Sequence, residues 1–193
     1  TNDGPHYPLP YRGEGAWGLG KPLRSITHPL RADVPIFMGA EGPKNVALSA
    51  EICDGWLPLF FAPKDNQFYK DALQSGMDVG GRNNWDDFEI AAMCSLIPGA
   101  DVEDCANKIR PMLALYVGGM GAKGKNFHFD VFVRMGFEAE CDKIQQLYLS
   151  GNKAEAIAAV PLEMCEAVAL LGPPSKIKDE LALWEESVVN TLL

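Results

Sequence analysis

From residue 34 onward, short apolar runs alternate with amphipathic stretches. Val34 to Ala40 is apolar apart from Pro35, the pattern of a strand covered on both faces. Gly39 and Gly42 bracket a turn, and Pro43 stands at a first helical position, where its missing N–H costs nothing. Ala47, Ala50 and Cys53 recur at helical spacing, which predicts a helix over 43–53. Gly55 closes that helix, and Trp56 to Phe61 resumes extended structure.

Downstream, Pro63 to Ser75 reads as a helix, 76–87 as a polar connection rich in Gly and Asn, and Phe88 to Ile97 as a strand. Asp101 caps a helix reaching 117, with Asp104 at the capping-box position and a kink at Pro111. Gly118-Gly-Met-Gly121 breaks that helix. Residues 127–135 and 139–149 are predicted helical, and 153–166 carries one or two shorter helices. Pro173 starts the last helix, striped by Ile177, Leu181 and Trp184, and 188–193 reads as a final core strand. No element is predicted over 167–172. Strands alternating with helices mean βαβ units and a parallel sheet. Four such strands suit half of a (β/α)₈ barrel or part of a doubly wound sheet, and in both the strand-to-helix turns lie on the ligand side.

Residues 1–33 hold Pro5, Pro8, Pro10, Pro22 and Pro29 without sustained periodicity, a long irregular loop preceding a single domain over 34–193. The chain opens on Thr1 in that loop and closes inside a predicted core strand, so both ends read as cut from a larger protein.

Composition narrows the function classes. A 193-residue chain with 47% hydrophobic content has ample material for a core. The net charge of −9 disfavours nucleic acid and anionic membranes as partners. It leaves room for an anionic small ligand held by backbone dipoles. Cys53, Cys94, Cys105, Cys141 and Cys165 are odd in number and lack C-x-x-C spacing, which reads as reduced thiols in a cytoplasmic protein. No 18-residue apolar run or signal peptide occurs.

Two phosphate-loop patterns fail on inspection. Gly15 to Lys21 matches G-x-x-x-x-G-K, but Pro22 stands where a Ser or Thr must bind magnesium. Gly13, Gly15 and Gly18 match G-x-G-x-x-G without a strand before or a helix after. His6, His28 and His128 lie apart from one another, with no metal-ligand spacing around any of them. One candidate site remains, the turn at 39–45. It aims backbone N–H groups and the positive end of a helix dipole at one point, which suits a phosphate or carboxylate. The same residues also suit an ordinary strand-to-helix turn.

Pro35-Ile-Phe-Met-Gly-Ala-Glu-Gly-Pro-Lys-Asn-Val46 and Ala50-Glu-Ile-Cys-Asp-Gly-Trp-Leu-Pro58 together resemble the luciferase-like flavin and deazaflavin oxidoreductase superfamily. The resemblance is nearest to its branch dependent on the 8-hydroxy-5-deazaflavin coenzyme F420. Gly4 to Pro10, Gly18 to Leu23, Arg110 to Gly121, Lys125-Asn-Phe127, Arg134-Met-Gly-Phe-Glu138 and Leu171-Gly-Pro-Pro174 extend it in order along nearly the whole chain.

The resemblance implies a (β/α)₈ TIM barrel of roughly twice this length, with this chain as its C-terminal half, strands five to eight. Residues 1–33 would be the excursion before strand five, and the partner would be the missing N-terminal half. A lone half barrel has open sheet edges, so stability is expected only with that other half. Enzymes of this kind dimerise and move a hydride at the deazaflavin C5, to or from a small organic substrate. The coenzyme phosphate meets backbone amides of this half, a role that falls on Gly39, Ala40, Glu41, Gly42, Pro43 and Lys44, with Asn45 as a side-chain donor. Pro43, lacking an N–H, would contribute shape alone. The family's proton-handling residues lie mainly in the other half, so no catalytic residue is assigned here. An FMN-dependent monooxygenase, or a non-catalytic coenzyme-binding protein of the same fold, would use the same turn.

Overall fold

The computed structural model describes residues 4–22 and 24–193. Residues 1–3 of the predicted loop and Leu23, which ends the Gly18–Leu23 motif, lie outside the described residues. The chain forms two units, Thr1–Val34 and Pro35–Leu193. Described residues of the first unit run through bends and turns without a helix or a strand longer than a single bridge. Gly15 to Lys21 leads into no helix, consistent with Pro22. Trp17, Leu19, Ile26 and Leu30 are exposed.

In the second unit, β1 (Phe37–Gly39) leads into α1 (Pro43–Ile52) and β2 (Gly55–Leu57). A short 3-10 turn (Pro63–Asp65) opens α2 (Asn66–Gly80), and β3 (Glu89–Ala92) follows. The chain then makes a long excursion through β4 (Ser95–Pro98), α3 (Val102–Ala106), α4 (Arg110–Gly119), α5 (Phe127–Arg134) and α6 (Glu138–Leu149). It continues with α7 (Lys153–Ala158), α8 (Leu162–Val168) and β5 (Ala169–Gly172) before α9 (Pro174–Glu185) and β6 (Thr191–Leu192) return to the sheet. The main sheet has the order β1-β2-β3-β6 and every pairing is parallel. The four predicted strands therefore do align in chain order as one parallel sheet.

Several expectations need correction. The predicted strand 88–97 divides because the chain changes partner. Ala92 closes the ladder to β6, and β4 then pairs in parallel with β5 in a separate two-stranded sheet. That second strand, fully buried, falls in the stretch for which no element was predicted. The polar connection expected from 76 begins later, because α2 runs on to Gly80. Gly76 suits the helix because α1 crosses there: a Cβ on Gly76 would sit 1.9 Å from the Ala47 carbonyl oxygen. The break expected at Gly118 to Gly121 falls there: α4 ends at Gly119 with Met120 as its C-cap, and the Tyr148 side chain occupies the space that side chains on Gly118 and Gly119 would take. The kink expected at Pro111 is a full break, with Pro111 in the first turn of α4. Asp101 caps α3 as expected, its Oδ1 accepting the Asp104 amide at 2.9 Å.

Side chains alternate across the sheet. Met38, Trp56 and Ile90 share one register position and pack on α1, α2 and α9 in a core with Tyr69, Leu73, Phe61 and Trp184. Helices α3 to α8 enclose a second core around Leu113, Phe132, Ile144 and Met164. The opposite sheet face is open: Leu57 is 36%, Met93 54% and Leu193 63% exposed. This corrects the expectation that 34–40 is covered on both faces and that 188–193 is a buried core strand, because among the described residues the helices cover one side only. No helix of the described residues is long and apolar enough to cross a membrane.

Candidate functional site

β1 ends at Gly39, and three residues carry the chain into α1. Gly42 is the N-cap, with extended backbone (φ −84°, ψ 146°) and no side chain to cap the helix. Its carbonyl oxygen accepts the amides of Asn45 at 3.1 Å and Val46 at 3.0 Å. Pro43 has no N–H, so the amides of Gly42 and Lys44 are left without a partner among the described residues. A Cβ built on Gly42 meets nothing within 4 Å, so the space beside Gly42 is open.

The turn is fixed from behind by side chains. Trp56 Nε1 donates to the Ala40 carbonyl at 2.8 Å, and Arg134 Nη2 donates to the Glu41 carbonyl at 2.8 Å. A trans peptide points its C=O and N–H in opposite directions. Anchoring the Glu41 carbonyl therefore also sets the direction of the Gly42 N–H, the other end of the same plane. Glu41 itself is 6% exposed, and its Oε1 accepts the Leu59 amide at 2.9 Å just beyond β2. Its Oε2 is buried with no partner among the described residues.

Burial pushes the Glu41 carboxyl up to about 7, against the opposing pull of the Leu59 and Phe60 amides and the Arg134 guanidinium. Arg134 lies 5.1 Å over the Phe68 ring and acts electrostatically on the Tyr69 hydroxyl. Burial raises Tyr69 too, and it raises Asp65, which Arg134 partly offsets. Arg134 thus joins α5 to α2 and to the turn.

The predicted residues fall into two groups. Gly39, Pro43, Lys44 and Asn45 are exposed and Gly42 is half-buried, whereas Ala40 and Glu41 turn inward. The Asn45 amide is already bound to Gly42, which leaves its side chain outward. Trp56, Leu59, Tyr69 and Arg134 were not predicted as site residues. Arg134 stands 93 positions from Glu41, too far for spacing to reveal, although it opens the Arg134–Glu138 motif. A cavity of about 190 Å³ lies just past the carboxyl ends of β2, β3 and β6, lined by Leu59, Phe60, Met93, Cys94, Met112 and Leu193. Cys94 is pushed up to about 11 by burial, so its thiol is protonated and unreactive near neutrality. Of the apolar residues on α5 and just after it, Phe132 is buried, Phe129 and Met135 lean on the same core, and Phe127 is exposed.

Solved structures share this architecture. The coenzyme F420-dependent tetrahydromethanopterin reductase of Methanopyrus kandleri superposes with a TM-score of 0.68 at 24% identity, over 83% of this chain and 44% of that one. An F420-dependent secondary alcohol dehydrogenase, solved with an F420-acetone adduct, gives 0.60 at 15% identity over 83% and 42%. At these identities the likeness is one of fold. In sequence, a Mycobacterium tuberculosis protein named for coenzyme F420-dependent oxidoreduction is 46% identical over all of this chain and 56% of its own length. The 5,10-methylenetetrahydromethanopterin reductase of Methanopyrus kandleri is 27% identical over 78% of this chain and 41% of its own. The chain spans about half the length of the curated relatives it matches. The family described as luciferase-like monooxygenase matches residues 6–191, nearly the entire chain, which therefore belongs to that family.

Proposed function

We propose that this chain forms strands five to eight, the C-terminal half, of a (β/α)₈ barrel in a coenzyme F420-dependent oxidoreductase, and that its 39–45 turn holds the coenzyme phosphate. The observation that carries the site is the pair of amides, Gly42 and Lys44, at the N-terminus of α1 without a partner among the described residues, with free space beside Gly42. The relatives named for F420 support the choice of coenzyme. The open sheet face, with Leu57, Met93 and Leu193 exposed, supports a further set of strands closing the barrel.

The residues present fit a phosphodiester. Gly42 brings backbone close without a side chain in the way, and the α1 dipole favours negative charge there. Within this reading, Gly42 and Lys44 donate amide hydrogens, while Gly39 and Pro43 shape the approach and the Asn45 side chain serves as an outer donor. Ala40 and Glu41 hold the turn from behind, through Trp56, Arg134 and Leu59. When bound, F420 supplies a deazaflavin C5 that gives or takes a hydride, and the partner substrate is a small organic molecule. In this reading the intact protein is also a homodimer.

Titration of the intact protein with F420, followed by coenzyme fluorescence, tests the site. Gly42→Asp places a carboxylate against the phosphate and should weaken binding by at least about tenfold, the equivalent of about 1.4 kcal/mol. Unchanged affinity removes the phosphate from this turn. A bound species with flavin absorbance in the purified protein would instead favour FMN.

A further inference from the structure

We infer that Glu41 is a positioning residue that links coenzyme binding to proton uptake. This rests on the phosphate reading of the 39–45 turn. The peptide joining Glu41 to Gly42 carries one of the two free amides, so the Glu41 carboxyl belongs to the residue that presents the anion donor. That carboxyl is 94% buried by its 6% exposure, with Oε1 on the Leu59 amide and Oε2 facing no partner among the described residues. An ionised carboxylate here repels an incoming phosphate across low-dielectric protein, whereas a neutral carboxyl does not.

The groups around it set the balance. From α5, Arg134 pulls toward ionisation, and the Leu59 and Phe60 amides beyond β2 act the same way. From α2, Tyr69 lies close enough to interact electrostatically with the carboxylate, and Asp65 in the preceding 3-10 turn acts on Arg134 and Tyr69. Lys44 on α1 is exposed to solvent. Burial outweighs these pulls and holds the free carboxyl near half-protonation at neutral pH. A bound phosphate adds a second negative charge and shifts it toward the neutral form, so near neutrality binding takes up a fraction of a proton, about half at most. Oε2 then becomes an O–H, and Oε1 keeps its bond to Leu59. Affinity falls as pH rises through neutrality.

The test compares F420 dissociation constants between about pH 6 and pH 9 for the unmutated protein and Glu41→Gln, which keeps a carbonyl oxygen for the Leu59 amide. The coenzyme's own ionisations are common to both. We expect the unmutated protein to lose about tenfold more affinity across that range than the variant, corresponding to a coupling of about one pKa unit. Calorimetric titration of the unmutated protein in two buffers of different ionisation heat should show net proton uptake slightly above neutrality, beyond that of Glu41→Gln if the variant folds. Equal pH slopes in the two proteins, or no net uptake by the unmutated one, would overturn the inference. If Gly42→Asp leaves F420 affinity unchanged, the phosphate reading falls instead.

Discussion

Arg134, on α5, donates from Nη2 to the carbonyl oxygen of Glu41 at 2.8 Å, joining the excursion to the first strand-to-helix turn of the sheet. The contact fixes the Glu41–Gly42 peptide plane and hence the direction of the Gly42 amide. The guanidinium also lies over the Phe68 ring of α2, so one residue ties α5 to α2 and to the turn.

Arg134→Ala should therefore weaken F420 binding and destabilise the intact protein by about 1–3 kcal/mol, since the Glu41 carbonyl loses a charge-assisted donor. Arg134→Lys keeps the charge but not the planar fork, and should recover only part of either loss. Urea unfolding and coenzyme titration of both variants check this. Native stability and affinity in Arg134→Ala would mean that the turn holds its shape without α5.

Two glycines should respond very differently to the same substitution. Gly76→Ala drives a Cβ to 1.9 Å from the Ala47 carbonyl oxygen, so α1 and α2 must separate. Overpacking of that kind costs about 1–3 kcal/mol, occasionally more. Gly42→Ala meets nothing within 4 Å and its backbone is already in a region open to alanine. Its effect on stability should stay within about 1 kcal/mol of zero, because reduced freedom in the unfolded chain offsets the poorer N-cap. Denaturation midpoints of the two variants decide. A Gly76→Ala protein as stable as the unmutated one would contradict the helix crossing.

Much of the framework was legible because it is local. Pro43 after Gly42, the helical spacing of Ala47 and Ala50, and the Asp101 cap all act within a few residues of themselves. What was missed depends on distant partners. The buried strand Ala169–Gly172 is too short for periodicity to separate from the helix before it, and its identity comes from pairing with Ser95–Pro98. Gly76 reads as a breaker until the backbone of α1 is found against it, and the Tyr148 ring against Gly118 is equally invisible to spacing. At the site, the exposed part of the turn was visible in sequence. Its bracing by Trp56, Leu59 and Arg134 was not, since those contacts span 16, 18 and 93 positions.

His128 offers a separate pH test. Its Nδ1 is buried without a partner among the described residues, and the ring lies edge-on to Phe60 and Tyr116 at centroid distances of 5.8 and 4.8 Å. Burial lowers its pKa below the ordinary 6.5. The unfolded chain thus binds the proton more readily. The neutral ring's contribution is complete above about pH 6.5 and is lost as pH falls toward the lower folded value. His128→Phe should remove that acid-side loss, seen as a shallower decline in urea midpoint below neutrality. A decline as steep as in the unmutated protein would assign the acid sensitivity elsewhere.

Glu41 should act with the opposite sign. Its carboxyl is raised from the ordinary 4.5 to about 7, so the folded protein holds this proton more tightly than the unfolded chain does. Stability from the neutral carboxyl is complete below about pH 4.5 and is lost as pH rises through 7. The span corresponds to about 3.5 kcal/mol at most, because one pKa unit is about 1.4 kcal/mol. Glu41→Gln stays neutral throughout. Its stability relative to the unmutated protein should therefore climb between about pH 5 and pH 8, read as urea unfolding free energies at several pH values. The climb should occur without coenzyme, which separates the cost of burying this charge from its effect on phosphate binding. Parallel curves for the two proteins would show that Glu41 ionises as easily when folded as when unfolded, and its buried, half-partnered carboxyl would then have no influence on stability in this range.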